Sequence, residues 1–333
     1  MTHAWKYLAA ALLAVGWLTT AGCPTGADDD DTAVGDDDDA TGEETPLPAP
    51  ADVEFDGACD LANKYGRFGV DETADYTSVQ GQISDGVVPV TVLRNIQEEG
   101  GCRLLKRENP FCDPPCGPGF TCDYDGECID FPEPQDLGIV IVRGLTERVE
   151  MEPRQPGWNY FAVPEDGMIP GETVQLRATG GRWDGFEAWG VGVESMVLPE
   201  DLLWTIAEAT DVELEWPAAA AGARSEVQFK LNIDQHGTSP ATLFCDFPDT
   251  GSATVPGSMI DGLRAAGVTG WPAGSLSRRT VDSETLSDGV GCVEFEIASA
   301  RNVMVTVSGY IPCNSANPCP DGLECNEAIE LCE

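Results

Sequence analysis

Val227-Gln-Phe-Lys-Leu-Asn-Ile233 alternates apolar and polar residues without a break, and Val303-Met-Val-Thr-Val307 repeats a β-branched residue at alternate positions near the end of the chain. A period of two places one set of side chains on one face of a strand, so each segment is expected to bury one face. Outward from these two stretches, the predicted strands are Leu137–Arg143, Trp158–Val163, Glu172–Thr179, Phe186–Val191, Val212–Trp216, Glu226–Ile233, Thr242–Phe247, Leu276–Val281, Gly291–Ile297 and Asn302–Ser308. Gly, Pro and Asp turns separate most of them. Short strands with such punctuation predict a β-sandwich or barrel over 137–311. One helix is expected, about Gly257–Ala266, with Met259, Ile260 and Leu263 on one side.

Upstream, residues 51–108 read as a second, smaller β domain. Tyr76–Ile83 carries β-formers, Asp85-Gly86 gives a turn, and Val87–Leu93 follows as a strand with Pro89 at its start or edge. A helical turn is expected over 94–99, then a last strand, Cys102–Arg107. The fold class is therefore all-β.

The cysteines divide the chain further. Of 13 cysteines, Cys112, Cys116, Cys122 and Cys128 form one tight group, and Cys313, Cys319, Cys325 and Cys332 another. Cys116-Gly-Pro-Gly-Phe-Thr-Cys122 and Cys319-Pro-Asp-Gly-Leu-Glu-Cys325 share the pattern C-x-x-G-x-x-C, an internal repeat. Each group is too short for a core of its own, so disulfides must hold it. This defines modules at 109–132 and 312–333, each with three pairings open. The isolated cysteines are expected to pair Cys59 with Cys102, closing the small domain, and Cys245 with Cys292. Zinc is the competing reading, but neither group contains a His and no metal is expected. The two modules resemble small EGF-like or Dickkopf-like cysteine-rich repeats. That resemblance implies first-with-third and second-with-fourth pairing: Cys112–Cys122, Cys116–Cys128, Cys313–Cys325 and Cys319–Cys332.

The N-terminus reads as an address. A short n-region ends at Lys6, a 12-residue apolar run spans Tyr7–Leu18, and small residues lead to Cys23. The run is too short for a spanning helix, which needs about 20 residues, and fits a secretory signal. Ala21-Gly22-Cys23 resembles the lipobox of bacterial lipoproteins, with Thr20 where that family usually has Leu. The resemblance implies cleavage after residue 22 and a lipid anchor on Cys23, the protein's contact with a membrane. Setting Cys23 aside leaves 12 cysteines, an even number. Residues 23–50 then form a lipidated Cys and an acidic tether, with eight Asp, two Glu and no base between 24 and 50. Such a segment cannot bury enough apolar surface to fold and is expected to extend.

Net charge is −40, and the body from 51 onward still carries 17 basic against 48 acidic residues. That excludes a nucleic-acid binder, which needs positive charge to displace counterions. The chain has two His, of which His236 is the one in the mature protein. Asp234 and Ser239 lie near it, but the stretch reads as a strand end entering a turn. The G-x-S-x-G, H-E-x-x-H, phosphate-loop and dinucleotide motifs do not occur. No catalytic residue and no cofactor is expected.

Asp60-Leu-Ala-Asn-Lys-Tyr-Gly-Arg67, Asp85-Gly-Val-Val-Pro89, Asn109-Pro-Phe-Cys-Asp-Pro-Pro-Cys116 and Cys245-Asp-Phe-Pro-Asp-Thr-Gly-Ser-Ala-Thr-Val-Pro256 together resemble lipoproteins of myxobacteria and their relatives. The resemblance implies an immunoglobulin-like β-sandwich in an envelope lipoprotein, and no activity comes with it. The expected role is non-enzymatic, structural or adhesion-like, on the outer membrane or displayed at the cell surface, with a protein or glycan partner. A glycan-binding module built on Trp183 and Trp189, in the Gly- and aromatic-rich stretch Gly180–Trp189, is the alternative. A hydrolase using paired carboxylates is the third reading.

Overall fold

The alternation around Phe229 becomes a strand in the middle of a ten-stranded sheet, with Val227, Phe229 and Leu231 buried and Lys230 exposed between them. The computed structural model describes residues 45–165, 167–234 and 241–333, and 46–333 form a single unit. In chain order the strands are β1 (Lys64–Glu72), β2 (Thr77–Ile83), β3 (Leu93–Glu99), β4 (Cys102–Arg107), β5 (Phe120–Cys122) and β6 (Cys128–Asp130). Next come β7 (Val140–Arg143), β8 (Val149–Met151), β9 (Tyr160–Ala162), β10 (Thr173–Gly180), β11 (Asp184–Val191), β12 (Leu203–Ile206) and β13 (Val212–Glu215). Then follow β14 (Glu226–Asn232), β15 (Ala241–Pro248), β16 (Ser252–Val255), the helix α1 (Gly257–Ala266), β17 (Ala273–Thr285), β18 (Cys292–Val307), β19 (Cys325–Asn326) and β20 (Leu331–Cys332). The described residues are all-β apart from α1 and short 3-10 turns. Among the described residues no helix is long and apolar enough to cross a membrane.

The large sheet runs β3-β4-β15-β14-β17-β18-β1-β2-β9, with β12 also on β18. A second sheet, β11-β10-β7-β8, packs on one half of it. Phe68, Val79, Phe295 and Ile297 from the large sheet meet Val140, Val174, Leu176 and Ala188 from the small one, forming a sandwich core. The other half of the large sheet buries Phe229, Leu243, Trp204 and Leu276 against α1 and the β13–β16 pair. The helix contributes Met259, Ile260 and Leu263, the side that its spacing predicts, and ends at Gly267, whose φ of +134° suits glycine.

A separate small domain over 51–108 is not what the strands build. β1 pairs in parallel with β18, and β4 pairs with β15, so the first four strands sit at both ends of one sheet. The disulfides follow this register. Cys59 bonds Cys292 and Cys102 bonds Cys245, correcting the expected Cys59–Cys102 and Cys245–Cys292 pairs. Cys102 and Cys245 are direct cross-strand partners on a fully buried face, and Cys59 lies just ahead of Lys64, the register partner of Cys292. Nearness in sequence favoured the wrong partners because the sheet joins segments up to 233 residues apart. Within the modules the bonds are Cys112–Cys122, Cys116–Cys128, Cys313–Cys325 and Cys319–Cys332.

Two local expectations also change. Residues 94–99 are strand rather than helix, and the strand expected over Val87–Leu93 is interrupted by a 3-10 turn, Pro89–Thr91, with Leu93 alone beginning a strand. Pro89 lacks an amide proton, and Thr91 Oγ1 closes the turn on the Val88 carbonyl at 2.7 Å. Gly100 and Gly101, both at positive φ, then reverse the chain into β4. The strands expected at 291–297 and 302–308 are one strand of 16 residues, β18. Ala298-Ser-Ala-Arg-Asn302 breaks the apolar pattern where β18 passes from one core to the other. There Ser299 is fully buried and its Oγ accepts the Met196 amide at 2.8 Å.

Tyr160 pins the loop leading into β7. It is 1% exposed, and its hydroxyl lies 2.9 Å from the Leu137 amide and 3.1 Å from the Gly138 carbonyl. Burial pushes its pKa up from 10.0 to about 12, despite the Leu137 hydrogen bond, which lowers it. The unfolded chain ionises first, so this contribution to stability is full below pH 10 and is lost as pH rises towards 12. In an absorbance titration one tyrosine is expected to ionise near pH 12, and Tyr160→Phe is expected to remove that late step. A late step that survives in Tyr160→Phe would contradict the assignment.

Candidate functional site

The two tryptophans expected to form a glycan platform do not share a surface. Trp183 is 6% exposed and belongs to the sandwich core, with its Nε1 donating to Asp288 at 2.9 Å and its ring 6.4 Å from Tyr65. Asp288 sits in the tight loop joining β17 to β18. Its carboxyl is held below the usual range by the amides of Val290 and Gly291, then by Trp183. The ring is thus clamped by a turn rather than offered to a ligand, which corrects the reading for Trp183. Trp189 is half-buried on β11 at a position between the core-facing Ala188 and Gly190, and is not a member of that core. The exposure of a Gly-rich flank was the misleading signal, because those glycines serve close packing: a Cβ on Gly181 would lie 2.3 Å from the Asp136 carbonyl oxygen. Cys23 and His236 lie outside the described residues.

Across the other face of the large sheet runs a line of alternating charges. Arg103 on β4 pairs with Asp246 on β15 at 2.9 Å, and Asp246 pairs with Arg279 on β17 at 2.8 Å. Arg279 reaches Glu296 on β18 at 3.4 Å, and Glu296 pairs with Arg67 on β1 at 3.2 Å. Arg67 continues to Asp71 at 2.9 Å, and Gln80 on β2 donates to Asp71 at 3.1 Å. Glu226 on β14 joins at Arg279, at 2.8 Å, with burial pushing its carboxyl pKa up against the pull of Arg279. These carboxylates are bound to guanidinium groups in a continuous network, an arrangement that ties strands together. No proton donor is singled out by it.

Two neighbouring concavities lie where the first cysteine-rich module meets the sheet. Tyr124 of that module donates its hydroxyl to the Pro89 carbonyl at 2.5 Å, and Arg94 lies 4.0 Å over its ring. Beside this contact is a hollow of about 740 Å³ with Leu93, Leu105 and Arg103 among its lining residues. A second hollow of about 630 Å³ takes in Asn63, Tyr65, Asp85, Asp130, Phe131 and Glu133. Ala62 and Val87 line both, so the two form one groove along the seam. Sequence reasoning missed it because its residues come from five separated stretches, and Phe131 and Tyr65 carry no local motif. The seam itself is fixed by Asp85, whose carboxylate accepts the Glu133 amide at 2.8 Å and Gln135 Nε2 at 2.9 Å.

In each module three cysteine sulfurs lie within 4.8 Å of one another, as metal ligands would. All of them are in disulfides, so no thiolate is free to bind a metal there.

No family model matches the chain, and no curated protein matches it. Among solved structures it is similar to the FN1–FN3 domains of chicken CNTN1, at 9% identity and a TM-score of 0.18, over 69% of this chain and 78% of that one. A likeness this distant carries no argument about function.

Proposed function

We propose that the protein is a lipid-anchored component of the bacterial cell envelope. In this reading Cys23 holds it to the outer membrane, an acidic tether spaces the body from the bilayer, and the body plays a structural or adhesive role without catalysis. The observation that carries this reading is the cysteine pairing. All 12 cysteines from Cys59 to Cys332 are joined in six disulfides, which persist in oxidising compartments and leave Cys23 as the odd one. The ion-pair network and the long-range bonds support a rigid scaffold rather than a moving active site.

Membrane fractionation of the wild type and of Cys23→Ala tests it. The wild type is expected in the membrane and in the detergent phase on phase partitioning, with Cys23→Ala losing most of that partition. Equal partition of the two would overturn the anchor. Brief protease treatment of intact cells then separates surface display, where the tether is cut, from a periplasmic location, where it is spared until the outer membrane is opened.

A further inference from the structure

We infer that the seam groove binds a neutral oligosaccharide, seated at the end formed by Asn63, Tyr65, Asp130, Phe131 and Glu133. The inference gives the interaction role a ligand class and rests on that role, but not on the lipid anchor. Two rings line this end. Phe131 stays 51% exposed although its backbone is fixed, its amide bonded to the Gly119 carbonyl at 2.8 Å and the strand just before it, β6, tied by Cys116–Cys128. Tyr65 is half-buried, backed by Trp183. A rigid ring that faces water in a concavity presents a flat apolar surface, the complement of the C–H face of a pyranose.

The polar groups at the same end are unspent. The side chains of Asn63, Tyr65, Asp130 and Glu133 line the hollow, and none makes a hydrogen bond or ion pair with another described residue. Carboxylates only accept, while the amide and phenol both accept and donate. This is the complement of a ligand carrying many hydroxyl donors. Charge argues against an anionic ligand. At this end Asp130 and Glu133 stand beside Asp85, which pairs with Arg182 at 3.4 Å, while at the other end Arg94 and Arg103 are paired with Glu108 at 3.1 Å and Asp246 at 2.9 Å, which leaves a cation as the competing ligand. The two joined hollows extend beyond a single sugar ring and fit a chain.

Calorimetry and tryptophan fluorescence test this on the mature full-length protein in detergent micelles, titrated with cellohexaose, xylohexaose, maltohexaose and chitohexaose. At least one is expected to bind and to change the emission of Trp183, which lies behind Tyr65. Phe131→Ala and Asp130→Asn are each expected to weaken binding by about tenfold or more, and Trp189→Ala to leave it unchanged. Both substituted side chains are exposed, so unchanged melting of the variants separates lost binding from lost folding. Silence across the panel, binding lost in Trp189→Ala but kept in the groove variants, or binding of spermine with the sugars silent would each overturn the inference. A silent panel from protein that still partitions to the membrane would overturn the sugar ligand and leave the envelope role standing.

Discussion

Arg278→Ala is expected to lower the melting temperature by about 10 °C at neutral pH, from about 3–5 kcal/mol of lost stability at about 2–4 °C per kcal/mol. The Arg278 side chain is 2% exposed and that of Asp249 is 3% exposed. Nε of Arg278 meets Oδ2 of Asp249 at 2.6 Å and Nη2 meets Oδ1 at 3.2 Å, a two-pronged contact. The same guanidinium donates to the carbonyls of Pro217 and Glu194. Removing it strands a buried carboxylate that keeps two neutral donors, Trp216 Nε1 at 2.8 Å and Ser225 Oγ at 2.7 Å. By contrast, Arg177→Ala breaks a pair whose side chains are 62% and 46% exposed and is expected to cost less than about 1 kcal/mol.

The pH dependence gives a sharper test. Burial alone pushes the Asp249 pKa up, but the hydrogen bonds from Arg278, Ser225 and Trp216 and the charge of Arg278 hold it below the usual carboxylate range. In the wild type, this contribution is present above the unfolded value of 3.8 and is lost as pH falls through the lowered folded value. In Arg278→Ala the burial is left and the main opposing group is gone, so protonation relieves the stranded charge. The melting deficit is therefore expected to be smaller at pH 3 than at pH 7. A deficit that is equal or larger at pH 3 would show that lost packing, not charge, is responsible.

The double change Cys102→Ser/Cys245→Ser is expected to cost about 3–5 kcal/mol, again about 10 °C in melting temperature. The bond joins residues 143 apart in sequence, so cutting it frees a long loop in the unfolded chain. Both sulfurs are fully buried next to Leu104 and Leu243, where two hydroxyls have poorer company. Cys319→Ser/Cys332→Ser opens a span of 13 residues in the C-terminal module and is expected to shift the main transition far less. Thermal unfolding under non-reducing conditions checks both. A Cys102/Cys245 double variant melting within about 2 °C of the wild type would contradict the account.

Much of the β architecture could be read from the sequence where one side of a strand is buried and the other is not. Val227–Ile233 and the helix at Gly257–Ala266 are of this kind, because local period and burial agree. The tight cysteine groups were legible for a related reason: their partners are 10 to 13 residues away, within reach of a turn. Legibility fails where partners are distant. Nothing in Lys64–Glu72 announces that it lies parallel to Cys292–Ser299, yet that pairing decides both the sheet order and the Cys59–Cys292 bond. Trp183 failed for another reason: its burial depends on Asp288, more than 100 residues later. The seam groove has the same character, since Tyr65 and Phe131 meet through the docking of a module and not through a motif.

The most direct test of the account is peptide mapping by mass spectrometry of unreduced protein isolated from native membranes. The account predicts Cys59 linked to Cys292, Cys102 linked to Cys245, no free thiol among the cysteines from 59 to 332, and an N-terminal peptide beginning at Cys23 with a diacylglyceryl mass. Linkage of Cys59 to Cys102, free thiols in the body, or an unmodified Cys23 would contradict it.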